Sequence, residues 1–271
     1  MHILIPGGSG LIGSHLAVYL NSIGHQVYVL THRQKIKNNL HFPNAIQVLK
    51  IGEALPDIDC IINLAGERIS TYPLSRSRIN KLIESRLNII NYLKNYYQDR
   101  SSSILFLQAS ATGIYQNTHA EINCPIADNI YSKMCQQIEA QAQKAFEHCV
   151  FMRLGVVIGP GGGLASLLHF IPKIQFINAK NYIPYILNDD LAKAIALILE
   201  HKLTGEINLC SNKYLTVNEL LSVCQNHHPN INFYLPKFIL RLDKRGQLLL
   251  VDQKIRPQKL LELGFEFSNA K

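Results

Sequence analysis

Apolar positions in the first half of the chain switch repeatedly between a short continuous run and a helical period. Ile3-Leu4-Ile5 after His2 forms a run of the length and content of a buried parallel strand. Beyond a glycine-rich turn, Leu11, Ile12, Leu16, Leu20 and Ile23 fall on one helical face, Gly24 is a helix stop, and His25–Leu30 reads as a second strand. The cycle recurs. Asp59–Leu64 predicts a strand running into the small-residue turn Ala65-Gly66. Ile79, Leu82, Ile83, Ile90 and Leu93 predict a long helix. Ile104–Leu107 predicts a strand ending in Gln108–Thr112, Ile130–Phe146 a helix, and Val150–Leu154 another strand. Strands alternating with helices predict an α/β fold with a doubly wound parallel sheet. Gly159-Pro160-Gly161-Gly162-Gly163 interrupts the pattern, which divides the chain into residues 1–160 and a smaller lobe over 161–271, part of which returns to the core sheet. In that lobe Asp189-Asp190 opens a helix reaching about Lys202. Gly205–Leu209 reads as a strand, Thr216 and Glu219 have capping-box spacing, and Pro257–Phe267 reads as a short helix with an extended end.

Chemistry enters at the first turn, Pro6-Gly7-Gly8-Ser9-Gly10-Leu11-Ile12-Gly13. A strand feeding glycines at 7, 10 and 13 and then a helix aims backbone N–H groups, including those of Leu11 and Ile12, and the positive helix end at one point. That is the geometry of a pyrophosphate cradle in a Rossmann domain. The expectation is that Gly7 and Gly10 leave room for the phosphates and that Gly13 lets helix and strand approach. An NAD site usually carries an acidic residue about twenty residues past the glycines, for the ribose 2′-hydroxyl. Here that region reads Thr31-His32-Arg33-Gln34-Lys35, and no acidic residue precedes Glu53. Arg33 suits a 2′-phosphate, with Thr31 as a neutral donor, so the expected cofactor is NADP. In the alternative, Arg33 is one charge in a solvated loop. Ligands of such sheets bind beyond the carboxyl ends of the strands. Leu64, Ala65, Gly66 and Glu67 are therefore expected near the nicotinamide-side ribose, and Ser110-Ala111-Thr112 near the hydride position.

Composition narrows the classes. With 271 residues, 47% hydrophobic and 17% charged, the chain has the make-up of a soluble α/β protein. No apolar run approaches a membrane span, and no basic leader or cleavage site stands at the N-terminus, so a cytoplasmic protein is expected. The six cysteines form no C-x-x-C pair and read as reduced core residues, and the eleven histidines show no metal-ligand spacing. The net charge of +8 is dispersed, its tightest groups being Arg33-Lys35-Lys37 and Lys244-Arg245, without interleaved aromatics. A small-molecule substrate is expected rather than nucleic acid or membrane. Oligomeric state is not legible.

Gly7–Gly13, Asn63-Leu64-Ala65-Gly66-Glu67, Ser85-Arg86, Ser110-Ala111-Thr112-Gly113, Cys135 with Glu139, Arg153–Gly159, Asp189-Asp190-Leu191 and Gly264-Phe265 with Phe267 run through nearly the whole chain. In these segments the chain resembles the atypical extended short-chain dehydrogenase/reductases of the nucleoside-diphosphate-sugar-epimerase-like family, some of whose members are labelled cell-division inhibitors. The resemblance implies an NADP-binding Rossmann core, a C-terminal substrate lobe, and cofactor contacts that extend to Ser85. Reductases of this superfamily use Ser, Tyr and Lys, with Tyr and Lys four apart on one helix; Lys lowers the Tyr pKa and holds the ribose. Ser110 matches the Ser, and Tyr131 lies where the Tyr falls. The residue four later is Cys135, and Lys133, two away, points to another face. No Tyr in the chain has a Lys four residues on. Leu164–Asn188 is shorter than the resemblance implies and holds no glycine, and Tyr185-Ile186-Leu187-Asn188 stands before the paired acids where the family has Trp-Ile-His.

The function expected is therefore an NADP(H)-dependent oxidoreductase or epimerase acting on an unidentified small carbonyl or nucleotide-sugar-like substrate. Ser110 would polarise the substrate oxygen, and Tyr131 or a water would handle the proton. In the alternative, the chain is a catalytically weak dinucleotide-binding regulator, with Ser110 a strand-end cap, Tyr131 a packed aromatic and Cys135 a small core residue.

Overall fold

The computed structural model describes residues 1–32, 42–69, 72–159, 173–225, 232–242 and 246–268. Its central sheet has seven strands: β1 (His2–Pro6), β2 (Gln26–Thr31), β3 (Gln47–Lys50), β4 (Cys60–Asn63), β5 (Leu105–Ala111), β7 (His148–Leu154) and β12 (Gly205–Leu209). Their order is β12-β7-β5-β4-β1-β2-β3, and every pair is parallel. β1 pairs with β2 on one side and β4 on the other, so successive connections leave it in opposite directions. This reversal opens a crevice beyond its carboxyl end.

Strand alternation divides the core into two faces. Ile3, Ile5, Val27, Val29 and Ile62 pack with Leu16 and Leu20 of α1 (Leu11–Ser22) and Ile195 and Ile198 of α4 (Asn188–Glu200). Leu4, Leu30, Ile61 and Phe106 pack on the other face. Their partners there are Leu82, Ile90 and Leu93 of α2 (Arg76–Tyr96) and Ile138 of α3 (Ile130–Ala145). An ion pair, His15 Nε2 to Asp189 Oδ1 at 2.8 Å, joins α1 to the first turn of α4. β12 comes from the later part of the chain and forms the edge beside β7.

Smaller pairs complete the architecture. β6 (Thr118–Glu121) pairs with β15 (Gln253–Ile255), β8 (Val156–Ile158) with β11 (Tyr185–Leu187), and β9 (Lys173–Ile177) with β14 (Asn232–Pro236). β10 (Tyr182–Ile183) pairs antiparallel with β13 (Leu215–Thr216). Ile158, Phe176, Ile183 and Tyr185 form a separate apolar core with Val217, Leu220 and Leu221 of α5 (Val217–Cys224). The capping box expected at Thr216 and Glu219 is formed. The last helix is α6 (Gln258–Glu262), in the region where a short one is expected.

Phe106 of β5 stacks on Phe146 with ring centroids 4.2 Å apart and planes within 6°. Both rings are buried. Phe106→Ala should therefore cost about 3–5 kcal/mol. Ile23→Ala, at an exposed position just past α1, should change stability by less than about 0.5 kcal/mol. Urea unfolding of the two variants measures both; similar midpoints would contradict the packing described.

Candidate functional site

The first loop of the crevice is set by close backbone contacts. Gly7 has φ +80° and donates its N–H to Leu30 O at 2.9 Å. A Cβ there would stand 2.7–2.8 Å from the Leu64–Ala65 backbone. Gly7 thus serves a close approach to the end of β4, a constraint that the sequence pattern does not reveal. Gly13 matches its expected role, since a Cβ would lie 2.5 Å from Gly8 Cα. Gly8, which sequence reasoning passed over, has no room either, with Val29 and Ile5 O within 2.9 Å of a built Cβ. Its adjacency to Gly7 was the available signal.

Gly10 is different. Among the described residues a Cβ there would meet only Gly7 O, at 3.2 Å. Gly10 caps α1 in extended conformation without a side-chain hydrogen bond, and the first turn holds no acidic residue. Ser75 and Asn129, by contrast, cap α2 and α3 with their side chains. The N–H groups of Leu11, Ile12 and Gly13 have no carbonyl four residues back within the helix. The positively polarised end of α1 therefore carries no side-chain cap beside Gly10, a cradle that fits a dinucleotide pyrophosphate.

Ser9 Oγ and Thr31 Oγ1 are 3.0 Å apart and buried, tying this loop to the end of β2. Thr31 thus has a loop-fixing partner, where the sequence suggested a ligand donor. Arg33 lies outside the described residues.

The second loop follows β4. Asn63 is buried, donates to Gln108 Oε1 at 2.8 Å and accepts from Ala65 N at 3.2 Å, which bends Asn63–Ala65. Leu64 and Ala65 are half-buried, whereas Gly66 and Glu67 are exposed. Ser85 Oγ accepts from Glu67 N at 3.1 Å and donates to Leu82 O at 2.9 Å, so Ser85 holds the loop onto α2. The Glu67 carboxylate is committed to the buried Arg78 guanidinium. What this loop offers the crevice is backbone. Arg86 of α2, absent from the predicted site, donates to Glu67 O at 3.2 Å and Leu82 O at 2.9 Å.

The third loop carries the proton chemistry expected of the site. Ser110 Oγ donates to Glu139 Oε1 at 2.6 Å. Glu139 also accepts from Arg153 Nε at 3.1 Å and Nη2 at 2.8 Å. Arg153 Nη1 donates to Tyr115 OH at 3.0 Å, and Tyr115 OH donates to Asn208 Oδ1 at 2.7 Å. Glu139, Arg153 and Tyr115 are buried. A serine has one proton, and a carboxylate only accepts. In this structure the Ser110 hydroxyl, expected to face a substrate oxygen, is engaged with Glu139.

Tyr131 is half-buried in the first turn of α3, its Cβ 4.0 Å from a Cβ built at Gly113. Cys135, at the position of the usual Lys, is buried, and burial raises its thiol pKa against the lowering effect of Ser110. It is a neutral core group. Lys133 points elsewhere, as expected, and pairs with Asp128 at 2.7 Å.

A cavity of about 380 Å³ borders the far side of this network, lined by Gln136, Glu139, Gln143, Phe151, Arg153 and Glu206 among others. It follows α3 from Gln136 to Gln143, and none of the predicted site residues lines it. Among the described residues no three His, Cys, Asp or Glu side chains are grouped to hold a metal, and no helix is long and apolar enough to cross a membrane.

Removing one partner of a buried pair strands the other's charge. Glu139→Ala should cost about 3–5 kcal/mol. Asp57→Ala, which breaks the exposed Arg100–Asp57 pair, should cost under about 1 kcal/mol. Denaturant midpoints decide; a loss at Glu139 no larger than at Asp57 would contradict a buried, fully engaged pair.

Comparison with known proteins agrees with this geometry. The family model described as NAD dependent epimerase/dehydratase family matches residues 3–210. "Epimerase family protein YfhF" of Bacillus subtilis is 26% identical over 99% of this chain and 94% of its own length. An Arabidopsis thaliana relative, "Epimerase family protein SDR39U1 homolog, chloroplastic", is 26% identical over 98% of this chain and 83% of its own. Among solved structures, human epimerase family protein SDR39U1 with NADPH superposes with a TM-score of 0.81 at 23% identity, covering 100% of this chain and 96% of that one. The Thermus thermophilus UDP-glucose 4-epimerase complex with NAD superposes at 0.76 with 20% identity, over 99% and 94%. Since both the parallel sheet that opens onto the glycine turn and the matched segment span the same stretch of sequence, this chain belongs to the NAD dependent epimerase/dehydratase family.

Proposed function

We propose that the chain binds NADP(H) across the ends of β1 and β4 and acts as an oxidoreductase or epimerase on a small carbonyl or nucleotide-sugar-like substrate. The observation that carries the reading is Gly10 on the uncapped end of α1. Leu11, Ile12 and Gly13 would present N–H groups to the pyrophosphate. The backbone of Leu64, Ala65, Gly66 and Glu67, braced by Ser85, would border the nicotinamide half. Arg33, with Thr31 beside it, would select the 2′-phosphate, a choice supported by the absence of any acidic residue before Glu53. The human relative solved with NADPH and the Thermus enzyme solved with NAD support a dinucleotide in this fold. When bound, that group supplies or accepts hydride. Residues 161–271 would supply the substrate side.

Proton handling is the weaker half of the site. A substrate oxygen must displace Glu139, a carboxylate acceptor, to receive the Ser110 proton. Tyr131 has no Lys behind it on α3, and the group in that place is a buried neutral thiol. General acid–base help is worth about 10²–10⁴-fold, so turnover should be slow. The same two observations favour the second reading, a dinucleotide-binding regulator that turns over little.

Thermal unfolding tests the binding. NADPH at a hundred times its dissociation constant should add about 2.7 kcal/mol, and NADH at the same concentration should add less. Equal shifts would remove the NADP assignment, and Arg33→Asp should reverse the preference. Gly10→Val should abolish both shifts while leaving the circular dichroism of the fold largely unchanged, because among the described residues the new Cβ meets a single atom, Gly7 O at 3.2 Å.

Absorbance at 340 nm across a panel of quinones, dicarbonyls and nucleotide sugars tests the chemistry. Slow NADPH oxidation is expected. Fast turnover lost in Tyr131→Phe would contradict the proton account, and NADPH binding without turnover on the whole panel would favour the regulator.

A further inference from the structure

Arg86 stands apart from the other partly buried arginines of the crevice. Arg78 and Arg153 each face a carboxylate within ion-pair distance. Among the described residues Arg86, half-buried on α2, has no carboxylate within ion-pair distance; Glu67 acts on it electrostatically, but its carboxylate is bound to Arg78. Its two hydrogen bonds go to the carbonyls of Leu82 and Glu67. A guanidinium carries five N–H donors, so these bonds leave most of its capacity unspent.

The position of that capacity is defined from two sides. On one side lies the loop after β4: a Cβ built at Gly66 would stand 2.7 Å from Arg86 Cζ and 2.9 Å from Nη1. A side chain at position 66 would therefore push the guanidinium out of its place against the loop. On the other side lies α3: Cys135, the residue four after Tyr131, is close enough for the two groups to perturb each other electrostatically, and Cys135 itself neighbours Ser110. The cation thus sits between the carboxyl ends of β4 and β5. Burial works against its charge, which raises the value of an electron-rich partner.

We propose that Arg86 is a cofactor-binding residue, a cation delivered from α2 that holds the nicotinamide-side ribose in the place the α3 lysine leaves empty in this chain. The proposal rests on the dinucleotide reading above and deepens it. Arg86 supplies charge and donors but no proton, because a guanidinium stays protonated. The carbonyl bonds to Glu67 and Leu82 keep it aimed, and the lack of a carboxylate keeps its remaining donors available to hydroxyl oxygens.

Titration calorimetry of the full chain with NADPH, and with ADP and adenosine 2′,5′-bisphosphate as fragments lacking the nicotinamide half, separates the possibilities. Arg86→Gln should weaken NADPH about tenfold or more and change the fragments less than about twofold. Arg86→Lys should fall between, keeping charge and losing the planar fork. Gly66→Ala should act like Arg86→Gln, because the methyl displaces the guanidinium without removing it, and it carries the test should Arg86→Gln not fold. Unchanged NADPH affinity in these variants overturns the proposal. Equal losses for NADPH and the fragments also overturn it, since they mark Arg86 as a brace for the loop. A wild-type chain that binds neither NADPH nor the fragments removes the dinucleotide reading itself, and this proposal with it.

Discussion

Everything in the crevice depends on one close approach: the Gly7 Cα against the Leu64–Ala65 backbone. With a Cβ excluded at 2.7–2.8 Å, the loops after β1 and β4 touch at the point where the strand order reverses. That contact brings the uncapped end of α1 beside the Asn63–Glu67 loop. The Ser9–Thr31 bond then fixes the first loop to β2, and the Asn63–Gln108 bond fixes the second to β5. A methyl group at Gly7 would face backbone, which has no rotamer with which to yield. The whole ligand side of the molecule is thus a consequence of which residues lack a side chain, and where.

The electrostatic design differs across the crevice. On the α1 side the positive helix end meets no acidic residue in its first turn. On the α3 side the charged groups satisfy one another. Ser110, Glu139, Arg153, Tyr115 and Asn208 form a buried chain that links β5, α3, β7 and β12. Such a network rigidifies the ends of three neighbouring strands, and it spends the serine proton that a reductase needs. Binding and proton transfer are therefore separable in this fold. The first is prepared in the backbone, and the second depends on side chains already engaged.

Much of the fold was legible because each core strand is a short apolar run and each long helix keeps its apolar residues on one face. The edge strand β3 was not, because only Val48 and Leu49 of its four residues are even half-buried. The small strand pairs of the second half are two to five residues long, too short for a period to declare itself. The glycine turn was legible as a site, yet the reason for each glycine was not: Gly7 answers to a strand 57 residues away, through Leu64. Nothing in the sequence pattern placed Glu139 in the interior; the register of Ser110 beside Arg153 explains its burial. Arg86 entered only as part of the Ser85-Arg86 match, because its partners are backbone carbonyls, Leu82 O on its own helix and Glu67 O on a loop that the helix pattern does not place.

The central claim is that a dinucleotide lies over Gly10 with its nicotinamide half toward Gly66. Crystals soaked with NADPH test it most directly. The account predicts density for the pyrophosphate against the N–H groups of Leu11 and Ile12, continuing past Leu64 to the Gly66–Glu67 loop. NADPH ordered elsewhere on the molecule, or an empty crevice at a concentration that saturates binding in solution, would contradict it.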